Sequence, residues 1–253
     1  MVSVLFRPSA QLEEMLIAEL SALGTTGIVE EEGGIRAFFD EGVDQDRLTA
    51  QFSDYEPKWR EEEDIDWERA TREAWPPIIA GPFFLAPPWC EDLTPPGLLR
   101  LPVYPGMACG TGRHPATQLA LQAIGMAVRA GDRVADIGTG SGILAWAAAL
   151  AGAAQVVACD VDFDAVSVAK EHLDAMLFTG LFAGSANALR SGWADVVIAN
   201  IDAATIEELA SEFERIRKPD SRLILTGFPE SDVPDGFLAR QTLSLEGWSC
   251  WVC

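Results

Sequence analysis

A glycine-rich segment, Asp136-Ile137-Gly138-Thr139-Gly140-Ser141-Gly142, has the residue types in this chain that point most directly to chemistry. An apolar run precedes it and another follows it, which predicts a strand, a tight turn and a helix. Glycine permits positive φ and lets a ligand approach the backbone closely, and the start of the next helix offers free N–H groups. The segment therefore predicts a nucleotide-type cofactor site that includes Gly138, Gly140 and Gly142.

The spacing of these glycines differs from that of a dinucleotide-binding loop. The G-x-G-x-x-G pattern needs glycine at position 143 or 145, where this chain has Ile143 and Ala145. The turn begins instead with an acid, Asp136, which suits a cationic ligand, repels a pyrophosphate and is expected to help bind the cofactor. S-adenosylmethionine is a cationic ligand of this kind, and the turn resembles motif I of the Rossmann-like methyltransferases.

A second acid follows at the distance that a ribose-binding carboxylate requires. Residues 155–159 are predicted to form the next strand, and Asp160 comes directly after it, 22 positions beyond Gly138. An acid at the end of that strand, about 20 residues past the glycines, accepts hydrogen bonds from ribose hydroxyls. Asp160 is therefore predicted to bind the cofactor.

Asn200 follows a third apolar run, Val196–Ala199, at the end of a strand where open sheets place their ligands. A carboxamide oxygen can orient the N–H bonds of an amine and stabilise the positive charge that develops on nitrogen during methyl transfer. Asn200 is therefore predicted to contact the cofactor and to act in catalysis without serving as a base. The alternative, a turn residue that ends a strand, stays open on position alone.

The segment from Gly106 to Thr117 is predicted to form a glycine-containing loop that folds over a ligand and leads into a helix near Pro115. Thr111 and the hydroxyl of Thr117 are expected to contact the cofactor, Thr117 at its methionyl end. His114 has no acid or cysteine nearby in the sequence, which favours a role in shaping the loop over a role as a base.

Composition limits the classes of partner. The chain has 253 residues and a net charge of −21, with 21 acidic and 8 basic side chains in residues 1–100. This charge disfavours nucleic acid and anionic membranes and favours a basic protein, although it also serves solubility.

The absence of apolar runs near ~18 residues predicts no membrane span, so we expect a cytoplasmic protein, which we further expect to be a monomer. Five scattered cysteines and two histidines argue against a disulfide framework and a metal site.

Helix and strand patterns alternate after Gly110, as they do in doubly wound α/β folds. We expect a small N-terminal α/β unit at residues 1–54, a linker at 55–105 with a connecting helix over residues 61–75 and an entry strand over residues 82–86, and a Rossmann-like domain at 106–253. The N-terminal unit is predicted to contain a strand, a helix and a hairpin that turns at Gly33-Gly34. Predicted elements of the larger domain are helices Pro115–Val128, Gly142–Leu150, Asp164–Met176 and Ala204–Arg217, strands Arg133–Ile137, Gln155–Cys159, Leu181–Ala183, Ala194–Ala199 and Arg222–Thr226, and a terminal hairpin turning at Glu246-Gly247.

These motifs together resemble the bacterial ribosomal protein L11 methyltransferase family. The resemblance rests on Gly110-Thr111-Gly112-x-His114-x-x-Thr117, the glycine-rich turn, Asp160 with Asp162, Ala199-Asn200-Ile201 and Thr226-Gly227. It implies a ferredoxin-like recognition domain, a Rossmann-like catalytic domain and S-adenosylmethionine-dependent methylation of lysine ε-amino groups and an N-terminal α-amino group. The resemblance also implies cofactor contacts from Thr117, Gly138, Asp160 and Asn200. Asp202 departs from the family, which has an apolar residue there.

Three alternatives stay open at this point. The chain could methylate lysine in another protein or methylate a small amine, or it could be a cofactor-binding module without activity. A nucleic-acid adenine methyltransferase is disfavoured because the Asn/Asp-Pro-Pro-aromatic loop is absent and the charge is unfavourable.

Overall fold

The computed structural model describes residues 2–8, 16–17, 19–20, 23–31, 34–40, 42–61, 75–104, 112–173 and 180–253. The chain divides into two compact units, Met1–Arg72 and Glu73–Cys253. Within the described ranges, no helix is long and apolar enough to cross a membrane.

The N-terminal unit is a four-stranded antiparallel sheet in the order β2-β3-β1-β4. Residues 16–17 and 19–20 between the first two strands are helical; residues 12–15, 18 and 21–22 of the predicted helix lie outside the described part of the chain. This order and these connections are those of a ferredoxin-like fold. Its elements are β1 (Val2–Phe6), β2 (Gly27–Glu31), β3 (Gly34–Phe39), helix α1 (Gln45–Gln51), a 3₁₀ turn (Ser53–Tyr55) and β4 (Lys58–Glu61).

Buried and partly exposed residues alternate along β3, because successive strand residues point to opposite faces. The buried face forms one side of this unit's core. Ile35, Ala37 and Phe39 are buried and pack with Phe6 and Phe52. The rings of Phe6 and Phe52 meet edge to face, with centroids 5.5 Å apart. The antiparallel pairing of β2 and β3 confirms the predicted hairpin, with Glu31 opposite Gly34, the first residue of β3. Residues 32–33 of its turn lie outside the described part of the chain.

The structure places the boundary of the first unit later than residue 54. Strand β4 belongs to the N-terminal sheet because it pairs with β1, Val4 opposite Trp59. Glu61 ends this strand and does not begin the helix predicted over residues 61–75; residues 62–74 of that helix lie outside the described part of the chain.

The larger unit begins with a three-stranded sheet of β5 (Ile78–Ala80), β6 (Phe83–Ala86) and β7 (Leu99–Pro102), with a 3₁₀ turn at Pro88–Leu93. The predicted strand before the catalytic domain is β6. Phe83, Leu85 and Leu101 are buried in the same core as the first helix of the main sheet. Most of the segment expected to be a linker is therefore packed into one unit or the other.

The main sheet has seven strands in the order β10-β9-β8-β11-β12-β14-β13. The first five of these are parallel, and β14 and β13 continue the sheet antiparallel. The strands are β8 (Arg133–Ile137), β9 (Gln155–Asp160), β10 (Gly180–Ala183), β11 (Ala194–Asn200), β12 (Arg217–Pro229), β13 (Gln241–Leu245) and β14 (Trp248–Val252). The helices are α2 (Pro115–Ala127), α3 (Ile143–Leu150), α4 (Phe163–Leu173), α5 (Ala203–Glu208) and α6 (Ala210–Ile216), with a 3₁₀ turn at Ala186–Ala188.

Each face of the sheet has its own apolar core. Val196 and Ile198 of β11 pack with α2 and α3, whereas Val197 and Ala199 pack with α5 and α6. This division follows from the two-residue period of a strand and produces a three-layer α/β/α unit. The predicted Rossmann-like α/β fold is confirmed.

Three expected elements differ in extent. The single helix predicted over Ala204–Arg217 is divided into two helices at Leu209, where φ is −87° and ψ is −1°. Strand β12 begins at Arg217, five residues before the predicted start, and α4 is described only to Leu173. The terminal hairpin is confirmed, with positive φ at Glu246 and Gly247 as a tight two-residue turn requires.

Candidate active site

The glycine-rich turn connects β8 to α3 and folds over the end of β9. The backbone N–H groups of Gly138 and Thr139 donate to the carbonyl oxygen of Cys159, at 2.9 and 3.0 Å. Gly138 has a φ of 73°, which favours glycine. Gly142 is the N-cap of α3, and the N–H of Gly140 donates to Oδ2 of Asp160 at 2.9 Å. The structure thus connects the turn directly to the predicted ribose-binding acid.

Asp160 ends β9 with both carboxylate oxygens held by backbone groups. Oδ2 accepts from Gly140, and Oδ1 accepts from the N–H of Asp162 at 3.0 Å. A carboxylate oxygen has two lone pairs, so each oxygen can accept a further hydrogen bond. The half-buried side chain also lines a cavity. Both oxygens of Asp160 therefore keep the capacity for a further hydrogen bond at the cavity wall.

Asp136 has a different environment from the one that the sequence suggested. Its side chain is fully buried, and it is not among the described residues that line the cavity. Oδ2 accepts from the hydroxyl of Thr139 at 2.6 Å, while Oδ1 has no hydrogen-bond partner among the residues that the structure describes. Burial raises the pKa of Asp136 from 3.8 to about 6, against the lowering effect of the Thr139 hydrogen bond. The structure therefore places Asp136 beneath the turn as an internal support, because it points into the protein from β8.

Asn200 ends β11 and is brought next to Thr117 in the first turn of α2. The amide nitrogen of Asn200 donates to the hydroxyl oxygen of Thr117 over 3.3 Å. Thr117 is only 5% exposed, whereas Asn200 is half-buried and lines the cavity. The amide oxygen of Asn200 has no hydrogen-bond partner within the described residues. One end of the carboxamide is thus anchored, and the other is available to a ligand.

The cavity has a volume of about 520 Å³ and lies beyond the carboxyl ends of the parallel strands. The cavity lies at the end of β8, whose neighbours in the sheet are β9 on one side and β11 on the other. The strand order reverses direction here, and open α/β sheets bind ligands at such a switch point. Its size is in the range of small-molecule sites. The lining residues are Ile137, Gly138, Asp160, Val161, Gly184, Ser185, Asn200, Ile201, Asp202, Thr205, Glu208 and Leu209.

This lining combines apolar surface with acids. Val161 is 79% exposed and, with Ile137 and Leu209, offers apolar surface for a flat ring system. Asp160, Asp202 and Glu208 supply carboxylates. The chemistry of these groups fits a nucleoside with a cationic substituent better than it fits a pyrophosphate, which the carboxylates would repel.

Several predicted site residues lie away from the cavity wall. Gly140 and Gly142 shape the turn and the start of α3, and Thr111 lies outside the described residues. His114 is exposed; its Nδ1 accepts from the N–H of Ala116 at 3.2 Å, and its ring meets Trp248 edge to face at 4.4 Å. His114 is therefore the N-cap of α2, in keeping with a role in shaping the loop.

Sequence reasoning did not identify Ile201, Asp202, Thr205 or Glu208 as lining residues. Asp202 is the N-cap of α5: Oδ1 accepts from the N–H of Thr205 at 2.9 Å, and Oδ2 accepts from its hydroxyl at 2.7 Å. These bonds lower the pKa of Asp202. The signal was present, since an acid directly before a helix is a capping pattern.

The described residues contain no group of three or more His, Cys, Asp or Glu arranged to hold a metal ion. Cys250 of the terminal C-x-x-C is buried, and burial raises the pKa of its thiol to about 12. The thiol of Cys159 has a pKa raised to the same value, again chiefly by burial. Both thiols are neutral near neutral pH.

Comparison with known proteins identifies the family. The model of the ribosomal protein L11 methyltransferase (PrmA) family matches residues 2–250. The chain belongs to this family. The ribosomal protein L11 methyltransferase of Deinococcus radiodurans is 37% identical over 234 residues, covering 89% of this chain and 83% of that protein. The enzyme of the same name from Thermus thermophilus is 34% identical over 229 residues, covering 89% and 84%.

A solved structure supports the same assignment. The crystal structure of ribosomal protein L11 methylase from Lactobacillus delbrueckii subsp. bulgaricus has a TM-score of 0.62 and 28% sequence identity, and the match covers 70% of this chain and 96% of that one. As a member of the L11 methyltransferase family, the chain is an enzyme that transfers methyl groups from S-adenosylmethionine. The acid-bearing cavity at the glycine-rich turn fits this cofactor.

Proposed function

We propose that this chain methylates amine nitrogens of ribosomal protein L11, both lysine ε-amino groups and the N-terminal α-amino group. The observation that carries the proposal is the anchored carboxamide of Asn200 at the cavity wall, with its oxygen available to a ligand. The names of the relatives supply the substrate. S-adenosylmethionine supplies an electrophilic methyl group when bound.

We assign cofactor binding to the residues around the turn. Asp160 would accept the ribose hydroxyls, the backbone at Gly138 would lie against the cofactor, and Asn200 with Thr117 would face its methionyl end. Gly140 and Gly142 contribute by holding Asp160 and by starting α3. We propose no direct cofactor contact for Asp136, since its carboxyl is buried beneath the turn.

Asn200 would act on the substrate by orienting it. An amine reacts only through a free lone pair, so its remaining N–H bonds must point away from the methyl donor. The amide oxygen of Asn200 can accept one of these N–H bonds. Its partial negative charge also stabilises the positive charge that develops on nitrogen. No proton transfer to Asn200 is required.

The cavity has acids that attract a protonated amine but no histidine or lysine that could serve as a base among its described lining residues. A lysine with a pKa of about 10.4 must lose a proton before it reacts, and an α-amino group with a pKa of about 8 needs less help. Asp202 and Glu208 would draw the cationic side chain to the cavity. We infer that the proton passes to water.

Replacement of Asn200 by alanine tests this role. N200A is expected to lower kcat by about 100-fold, because it removes the group that orients the amine, while the Kd for S-adenosylhomocysteine changes much less. T117S keeps the hydroxyl that anchors the amide and is expected to retain more activity than T117A. A loss of cofactor affinity in N200A without a loss of kcat would contradict the role.

The substrate is tested by mass spectrometry. Total ribosomal proteins are incubated with the enzyme and isotope-labelled S-adenosylmethionine, and N200A serves as the control. We expect labelled methyl groups on L11 at lysine residues and at the N-terminus. Label confined to another protein, or to a small amine added in competition, would favour one of the alternative substrates. A complete absence of transfer would favour a cofactor-binding module.

We further propose that the ferredoxin-like unit recognises the protein substrate and that the enzyme is a cytoplasmic monomer that does not bind nucleic acid. The acidic excess in residues 1–100 supports a basic protein partner over nucleic acid. Light scattering at the concentration of the assay gives the oligomeric state. A dimer mass would contradict the monomer.

A further inference from the structure

Ile201 lines the cavity and lies against Gly138 of the glycine-rich turn. It is half-buried and lies between Asn200 and Asp202. A Cβ built on Gly138 would lie 2.5 Å from Cγ2 of Ile201, closer than such atoms approach in proteins. The γ-methyl of Ile201 therefore occupies the space that any side chain at Gly138 would need.

The backbone of Ile201 is held from its other side by the end of β12. Its N–H donates to the carbonyl oxygen of Thr226 at 3.0 Å. A Cβ on Gly227, where φ is 100°, would lie 2.4 Å from the carbonyl oxygen of Ile201 and 2.6 Å from its nitrogen. The hydroxyl of the buried Thr226 donates to the carbonyl oxygen of Ser249 at 2.7 Å, which ties this end of β12 to β14.

We propose that Ile201 is a positioning residue for methyl transfer. Its side chain packs against the turn at Gly138. Its backbone is held against Gly227 and is bonded directly to Asn200, the preceding residue. The packing therefore sets the distance between the cofactor turn and the carboxamide. Protein interiors are dense, so a displacement at one contact is passed to the next, and a misplacement of 1 Å in the reacting groups costs about 100-fold in rate.

Two substitutions separate positioning from simple burial. Val keeps both γ-carbons of Ile201 and loses only the δ-methyl, whereas Leu keeps the volume but lacks the branch at Cβ. A role in burial alone predicts that I201L, which conserves volume, is tolerated better than I201V, which leaves a gap. The proposed contact of the γ-methyl with Gly138 predicts the opposite order.

The first measurement is the affinity for S-adenosylhomocysteine by calorimetry, which needs neither turnover nor protein substrate. We expect I201V to remain within about twofold of wild type and I201L to bind about five- to tenfold more weakly, because one misplaced contact changes binding on this scale. Thermal melting is recorded for each variant. Equal affinities of the two variants, or losses that follow the fall in Tm, would overturn the proposal.

The second measurement is kcat with L11, and this part rests on the proposed role of Asn200. We expect kcat to fall about tenfold in I201L and in G227A, because the reacting groups would be displaced by less than 1 Å. I201V should retain most of the activity. The I201L/G227A double variant should lose less than the product of the single losses, because both act through the same backbone segment. If wild type does not methylate L11, the proposed function fails while the affinity series still decides the role of Ile201.

Discussion

The carboxyl group of Asp136 is held in surroundings that disfavour its charge. It is 0% exposed, one oxygen has no hydrogen-bond partner in the described part of the chain, and the pKa is raised to about 6. The hydroxyl of Thr139 and, to a smaller extent, the nearby backbone N–H of Ala145 limit this cost. A carboxyl in this position couples the stability of the cofactor turn to pH.

The sign of that coupling is set by the direction of the shift. An acid whose pKa is higher in the folded than in the unfolded state keeps its proton longer when folded, so its contribution to stability falls as pH rises from about 4 to about 6 and is level above. A shift from 3.8 to about 6 corresponds to about 3 kcal/mol as an upper bound. We expect D136N to remove this pH-dependent decrease.

Urea unfolding of wild type and D136N between pH 4 and pH 7 tests the expectation. As pH rises through this range, the unfolding free energy of wild type should fall relative to that of D136N. Parallel pH profiles for the two proteins would show that Asp136 titrates at the same pH in the folded and unfolded states.

Sequence alone predicted the types of the site residues better than the directions in which they point. Asp160 and Asn200 follow strands and reach the sheet edge, so their exposure to the cavity was predictable. Asp136 lies two residues after Val134, which is buried in the core formed with α2 and α3. The two-residue period of a strand would have placed Asp136 on that same inner face.

Among the elements, those with a clear apolar periodicity and clear turn residues at their ends were predictable. Strand β8 has the predicted bounds, and the β13–β14 hairpin turns at Glu246-Gly247. Strand β4 was missed because Lys58–Glu61 has no alternation and is defined by pairing with β1. The start of β12 was missed because Pro219 argues against a strand; the register there shifts from Ala194–Arg217 to Val196–Arg222.

The split between α5 and α6 was not predictable from periodicity. Ile206, Phe213 and Ile216 all face the same core across the interruption at Leu209, so the apolar pattern continues as in one helix. A short α5 depends strongly on its N-cap, since few of its N–H groups have partners within six residues. Asp202 provides that cap.

Loss of the cap is expected to weaken both α5 and the cavity wall. D202A removes the acceptor for Thr205 and should lower the unfolding free energy by about 1 kcal/mol, whereas D202N keeps an oxygen in place and should lose less. The lowered pKa of Asp202 means that the ionised cap stabilises the fold at neutral pH and that this contribution is lost as pH falls through the folded pKa.

Chemical denaturation at neutral pH compares these two variants with wild type. The same proteins assayed for methylation should rank in kcat as they rank in stability of α5, with D202N above D202A. Both variants lack the charge that attracts the amine, so both should show a raised KM. If D202N is as impaired in kcat as D202A while remaining stable, the charge of Asp202 also acts after the substrate has bound.

At the scale of the whole molecule, the sheet order explains why distant residues meet. Strand β8 has β9 and β11 as neighbours, so acids and amides separated by 40 positions, Asp160 and Asn200, end at the same edge. Alternating helix and strand patterns predict a parallel sheet with its site at this edge, but they do not predict the order of the strands. Nothing in the local sequence fixes which strands are neighbours.

The net charge of −21 is a property of the molecule as a whole, and it predicts how the substrate is captured. Attraction between an acidic enzyme and a basic protein is screened by salt, so the KM for L11 should rise severalfold from about 0.05 to about 0.5 M NaCl while kcat changes little. Within this field, Glu30-Glu31-Glu32 and Glu61-Glu62-Glu63-Asp64 are the acidic runs of the N-terminal half; Glu61 is exposed at the end of β4.

Lysine substitution of these two runs should raise KM at low salt to near its high-salt value, because the electrostatic contribution has already been removed. Steady-state kinetics at both salt concentrations provides the measurement, and the Kd for S-adenosylhomocysteine controls for damage to the cofactor site. Methylation rates that respond to neither salt nor charge reversal would mean that shape and apolar contacts select the substrate, and that the negative charge serves solubility.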